Sequence, residues 1–151
     1  MVKKTFLVLI CLVGLTIFVC KLYDQRLKRT ITLPSGELVC DLNGEWDALY
    51  EHHRHGKSTD VLKITQRDSS FEGVKTIGGV SVPENAVSIK GELSKDGIAK
   101  VQLVMRVIYS GDPGRMTETQ DLLDCKGQIS EDSSEIIIDG GETIRVTLSR
   151  E

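Results

Sequence analysis

The sequence predicts an all-β fold: an antiparallel, about eight-stranded up-and-down barrel, or a related sandwich, preceded by one N-terminal apolar helix. Three observations carry this. After residue 40 apolar side chains recur at every second position, the period of a half-buried strand and not of a helix. Short clusters of Asp, Ser and Gly interrupt these runs ("RDSS", "SKDG", "SGDPG", "SEDSS", "DGG"), as hairpin turns require. Finally, a single uncharged run, Thr5 to Cys20, stands apart at the N-terminus.

That run comes first in the chain. Lys3 and Lys4 precede it and the basic "KLYDQRLKR" follows. At 16 residues it is short of the ~20 that span a bilayer comfortably. Flanking lysines that snorkel extend its reach. A removed signal peptide is the alternative, but the run ends Ile17-Phe18-Val19-Cys20, without the small residues that cleavage or lipidation of Cys20 needs. Residues 1–22 therefore read as an uncleaved signal anchor, with residues 5–22 in the membrane. On either reading the rest of the chain lies outside the cytoplasm, anchored or, if the signal is cleaved, secreted. Residues 23–39, polar and basic with the turn "LPSG", read as a linker, and residues 40–151 as the barrel domain.

Within the domain, eight runs read as strands: 44–52, 60–67, 71–77, 87–93, 98–109, 116–123, 134–139 and 142–149. In the first, Trp46, Ala48 and Tyr50 share a face that points into the barrel. "DVLKITQR" sets Leu62 with Ile64, and "VSIKGEL" sets Val87, Ile89 and Leu93 together. "IAKVQLVMRVIY" is the clearest: Ala99, Val101, Leu103, Met105, Val107 and Tyr109 alternate with Lys100, Gln102, Val104, Arg106 and Ile108. Residues 116–129 leave a strand and a short helix through Leu122 and Leu123 both open. In the last run Ile144, Val146 and Leu148 face inward, and Arg150 continues their parity. Closing eight strands into a barrel removes the exposed edges that an open sheet would present.

Charge divides the chain as hydropathy does. Residues 1–30 hold six Lys/Arg against one acid, whereas residues 31–151 hold 13 basic and 21 acidic side chains, a net of −8. An acidic domain without a basic patch argues against nucleic acid as a partner. Of the four cysteines, Cys11 and Cys20 lie in the apolar run. Cys40 and Cys125 lie in the domain, and an oxidising compartment would join them as a disulfide closing an 85-residue loop. Such a bridge would stabilise the fold by roughly 4–5 kcal/mol in the chain-entropy model.

First and last strands are neighbours in a closed up-and-down barrel, so Trp46 and Arg150 should meet at one barrel end, guanidinium on indole. At this point the sequence resembles the lipocalin-like (calycin) barrels. Their signature is Gly-x-Trp opening the first strand, with an arginine from the last strand packed across the tryptophan. "GEW" at 44–46 and "TLSR" at 147–150 match both parts in order, and the resemblance covers residues 40–151. Trp46 and Arg150 are structural in that role. The resemblance implies transport or sequestration of a small apolar molecule, with Tyr50, Val101, Leu103 and Met105 as cavity-lining candidates. Size allows a different interior. From Gly44 to Arg150 is 107 residues, and an eight-stranded barrel of that economy is either filled by side chains or holds one small ligand. A filled barrel would serve as a protein-interaction, inhibitor or envelope-structural module, with the loops 78–86 and 109–115 as contact surfaces.

His52, His53 and His55 close the first strand. If the strand persists, His53 and His55 share its outer face, but two imidazoles fall short of the three or four ligands of a tight zinc site, and no C-x-x-C pair exists. A solvated hairpin loop accounts for them. "IGGVS" and "DGGE" lack the spacing and strand–helix setting of a phosphate loop, no serine sits in a nucleophile elbow, and the carboxylates fall on solvent faces and in turns. The sequence thus points to a non-enzymatic binding module that needs no cofactor or metal.

Overall fold

A computed structural model describes residues 29–79, 81–110 and 117–150; the anchor segment and the first residues assigned to the linker, 23–28, lie outside them. The described chain is all-β. Strands β1 (Thr30–Thr32) and β2 (Leu38–Cys40) form a two-stranded ribbon. Then follow β3 (Gly44–His52), β4 (Gly56–Arg67), β5 (Ser70–Lys75), β6 (Val87–Ser94), β7 (Gly97–Ser110), β8 (Thr117–Ile129), β9 (Glu135–Asp139) and β10 (Ile144–Ser149). These eight pair antiparallel in chain order, and β10 returns to pair with β3, closing the barrel. Among the described residues no helix is long and apolar enough to cross a membrane.

Alternation builds most of the interior as expected. Val87, set with Ile89 and Leu93 by its parity, packs instead on the Val82, Val104 and Val107 cluster, and Ala99, set with Val101, is exposed, because β6 shifts register against β5 at Ser88 and against β7 at Ala99. Trp46, Ala48 and Tyr50 on β3, Leu62 and Ile64 on β4, Phe71 on β5, Ile89 and Leu93 on β6, Ile136 and Ile138 on β9, and Ile144, Val146 and Leu148 on β10 form one buried core. Residues 117–129 are strand throughout, so the helical alternative through Leu122 and Leu123 does not form. Asp68, with φ 53°, takes the left-handed conformation of the two-residue turn between β4 and β5, which Asp tolerates better than most residues. Gly91 pairs with Phe71 on one side and Val101 on the other, and the Lys100 carbonyl and the Phe71 ring together fill the space a side chain there would need.

The two ends of the barrel differ. At the end where β3 begins, Val39 and Leu42 are buried against the core, and Ile31 and Leu33 pack on it. The ribbon, residues the sequence assigns largely to a linker, therefore plugs this end. Its placement is fixed by polar contacts: Gln66 Oε1 accepts from Leu42 N at 2.8 Å, Asn43 Oδ1 accepts from Gln66 N at 2.8 Å, and Glu37 Oε1 accepts from Lys95 N at 2.6 Å. The opposite end, where β3 finishes at Tyr50 and His52, is open.

Strand β7 departs from simple alternation. Val104 pairs with Leu122 and Arg106 with Asp121, so Met105 is an extra residue, a β-bulge. Beyond it the two faces exchange. Val107, expected beside Leu103, instead joins Val104 and Val82 in a second small cluster under the β5–β6 loop. Val107 N donates to Ser81 O at 2.9 Å, so the loop continues along the β7 edge where β6 has ended.

Cys40 and Cys125 do not form the expected disulfide; both are free thiols. Each packs against the core from a different element, Cys40 at the end of the ribbon and Cys125 in mid-β8 opposite Val101. Cys125 Sγ donates to Leu123 O at 3.4 Å within its own strand.

Candidate functional site

The open end holds a cavity of about 760 Å3, within the range of small-molecule sites. Its floor is apolar: Leu103 and Met105 from β7 and Ile144 from β10, with Tyr50 from β3. Three of the four lining residues expected from sequence, Tyr50, Leu103 and Met105, are thus brought together. Val101 is not; it lies one step deeper on β7, 1 % exposed, in the packed core. The barrel is accordingly packed with side chains over its closed end and hollow at its mouth.

Polar groups at the mouth are held in a connected set. Tyr50 Oη and Ser88 Oγ are 3.2 Å apart. The Lys75 ammonium stands 4.3 Å above the centroid of the Tyr50 ring and 3.5 Å from Asp60 Oδ2. Asp60 Oδ1 accepts from Val61 N at 2.7 Å. The pair is largely removed from water, with side-chain exposures of 16 % for Lys75 and 5 % for Asp60. Burial pushes the Tyr50 phenol up to about 12, the Ser88 hydrogen bond acting the other way. Tyr50, Asp60 and Lys75 follow the inward parity of their strands: Tyr50 continues Trp46 and Ala48, Asp60 continues Leu62 and Ile64, and Lys75 continues Phe71. Ser88 does not; it is the extra residue where β6 shifts register against β5.

Around this floor runs a charged rim of Arg54, His52, His55, Arg106, Asp121 and Glu142. Arg106 and Asp121, cross-strand partners immediately after the bulge, belong to it because the extra residue at Met105 changes which side chains meet the cavity. The histidines are arranged by a turn and not by strand parity. β3 ends at His52, residues 53–55 form the turn, and the rings of His52 and His55 meet edge to face, centroids 6.1 Å apart. His53 and His55 do not share a strand face. Burial, then the neighbouring His55 and Lys75, lower the His52 pKa below the ordinary histidine value. Among the described residues no group of three or more His, Cys, Asp or Glu side chains is placed to hold a metal ion.

Trp46 and Arg150 meet at the closed end as expected, with the Arg150 guanidinium carbon 4.2 Å from the Trp46 ring centroid. Arg150 also donates from Nη2 to Asp41 O at 2.8 Å and from Nε to Ser133 O at 3.1 Å. Trp46 Nε1 donates to Leu42 O at 2.9 Å. These contacts bind the β2–β3 and β8–β9 connections to the barrel wall, remote from the mouth.

None of the six rim residues is among the lining candidates that the sequence suggests. His52 was within reach, since it continues the parity of Trp46, Ala48 and Tyr50. Arg106 was not, because a bulge leaves no mark in a period-two pattern. Compared with family models, curated proteins and solved structures, the chain matches none of them, and what is shown is an eight-stranded antiparallel closed β-barrel, consistent in general shape with the lipocalin-like fold.

Proposed function

We propose that this chain is a lipocalin-like binding module that takes one small, largely apolar molecule into the barrel mouth. A single observation carries the reading: the cavity has an apolar floor at one end of an otherwise filled barrel, and the other end is sealed by the ribbon and by Trp46 and Arg150. Burial of an apolar group on Leu103, Met105 and Ile144 would drive binding, at roughly 25 cal/mol per Å2 removed from water before the costs of association. A non-enzymatic role suits the polar groups beneath the rim. Asp60, Lys75, Tyr50 and Ser88 are committed to one another, and a phenol raised to about 12 does not give up its proton near neutral pH.

The module works, on this proposal, outside the cytoplasm, tethered by residues 5–22. The uncharged run between basic flanks supports the placement; the free thiols of Cys40 and Cys125 remove the second support that a disulfide would have lent. A second reading has its own observation. Ile77, where the β5–β6 connection begins, is 69 % exposed, a large apolar side chain that a protein contact would cover.

Native mass spectrometry on the chain recovered from its own host separates the two. A non-covalent adduct that leaves on denaturation is the expected result and gives the ligand mass. A bare chain that co-purifies with a stoichiometric protein would overturn the ligand reading in favour of the second.

A further inference from the structure

We infer that the free edge of β8 binds an extended, basic segment of another protein, which adds to the barrel wall as one more strand. This surface does not depend on a ligand in the mouth. The first ground is the ladder. β8 runs for 13 residues, and β7 pairs with Thr117–Cys125 along one side of it. On the other side β9 pairs with Lys126–Ile129 alone. β9 ends at Asp139, and Gly140 lies against the Leu123 side chain as the chain turns back into β10. Among the described residues, no backbone hydrogen bond reaches residues 117–122 from any element but β7. From Thr117 to Leu122, about 20 Å of strand, the N–H and C=O groups of this edge are therefore open to another chain. The outer edge of β7 is not: where β6 has ended, Ser81 O accepts from Val107 N at 2.9 Å.

The second ground is charge. Between residues 117 and 125 β8 holds Glu118, Asp121 and Asp124 and no Lys or Arg. Glu118 accepts from Gln120 Nε2 at 3.2 Å and Asp124 from Gln102 Nε2 at 2.6 Å, both neutral amides. Among the described residues, none of the three carboxylates is in an ion pair. Lys or Arg on an added strand would stand across from them, the favourable cross-strand arrangement. A second copy of this chain fits poorly. Antiparallel pairing of two β8 edges about Asp121 would set Asp121 against Asp121 and Glu118 against Asp124, and like charges directly opposite destabilise a sheet. The third ground is Leu122. Its parity is opposite to that of Leu123 and Cys125, which pack on the core, and it is 38 % exposed. An alternate side chain of the added strand would cover it, as in other strand additions.

The test uses the full-length chain in nanodiscs of neutral lipid, with protein-free nanodiscs as the blank, and reads the anisotropy of labelled peptides. The basic probe is Lys-Thr-Lys-Val-Lys-Thr-Lys; the acidic control has Glu for each Lys. The basic peptide should bind at least about tenfold more tightly, and the advantage should shrink as salt rises. The double variant Glu118→Lys/Asp121→Lys, both exposed residues, should reverse the preference. The charge-matched variant Glu45→Lys/Glu131→Lys, also exposed and at the closed end, should keep it. N-methylation of the interior residues of the basic peptide preserves its charge and removes its backbone donors, and should weaken binding at least about tenfold. Undiminished binding of the methylated peptide would reduce the contact to charge and overturn the added strand. A preference that survives Glu118→Lys/Asp121→Lys would move the site away from β8 and overturn the inference. Binding of neither peptide would overturn it as well, and a dimer of the chain in detergent would then make a second copy the occupant.

Discussion

The Arg150 guanidinium lies 4.2 Å from the centre of the Trp46 ring while donating to the carbonyls of Asp41 and Ser133. One side chain, just past the last strand, therefore joins the first barrel strand, the connection before it and the β8–β9 connection. Arg150→Ala should destabilise the fold by about 2–4 kcal/mol, since it removes the stack and strands partly buried carbonyls. Arg150→Lys should recover less than half of the loss, because an ammonium cannot stack and fork at once. Urea midpoints of the three proteins measure both; equal stability of wild type and Arg150→Ala would refute the role.

Gly91→Ala should cost about 1–3 kcal/mol by overpacking. A Cβ there would come within 2.4 Å of the Lys100 carbonyl oxygen, which is backbone and cannot swing aside, and within 2.6 Å of the Phe71 ring, which is 2 % exposed. The double variant Gly91→Ala/Phe71→Leu should cost less than the sum of its single changes. Additive effects in that double-mutant cycle would mean that the Lys100 carbonyl, and not the ring, sets the cost.

Tyr50 makes stability fall in alkali. Its phenol is raised from 10.0 to about 12 by burial, so the unfolded chain loses the proton first. The contribution is complete below pH 10 and is lost as pH rises through 12, amounting to roughly 2–3 kcal/mol over that window. Tyr50→Phe should flatten this slope, at a cost of about 1 kcal/mol at neutral pH for the lost Ser88 hydrogen bond. An unaltered alkaline slope in Tyr50→Phe would place the titration elsewhere.

The thiols offer a direct check on the pairing. Reductant should leave the melting temperature unchanged, because Cys40 and Cys125 are both free. Burial pushes the Cys125 thiol pKa up, so at neutral pH it should be alkylated more slowly than a free cysteine and reach full labelling only after denaturation. A two-hydrogen mass deficit in the unreduced chain would show a bridge instead.

Alternation and turn chemistry made most of the barrel legible. The eight strands lie within a few residues of where periodicity sets them, because each buries one face and a one-residue slip would expose it. Trp46, Tyr50, Leu103, Met105 and Arg150 were placed by the same parity. The ribbon was not, since three-residue strands are too short to show a period and gain their burial only by capping the barrel end.

What the sequence determined by itself was the wall: which residues face inward, which strands neighbour, and that an arginine would close on a tryptophan. These follow from local pattern and chain order. Tertiary structure alone decided where the interior stops being filled, that Cys40 and Cys125 are free, and that Arg106 meets the cavity. A bulge, a plug and the pairing of two thiols each depend on how strands from distant parts of the chain register against one another, and no local period records that register.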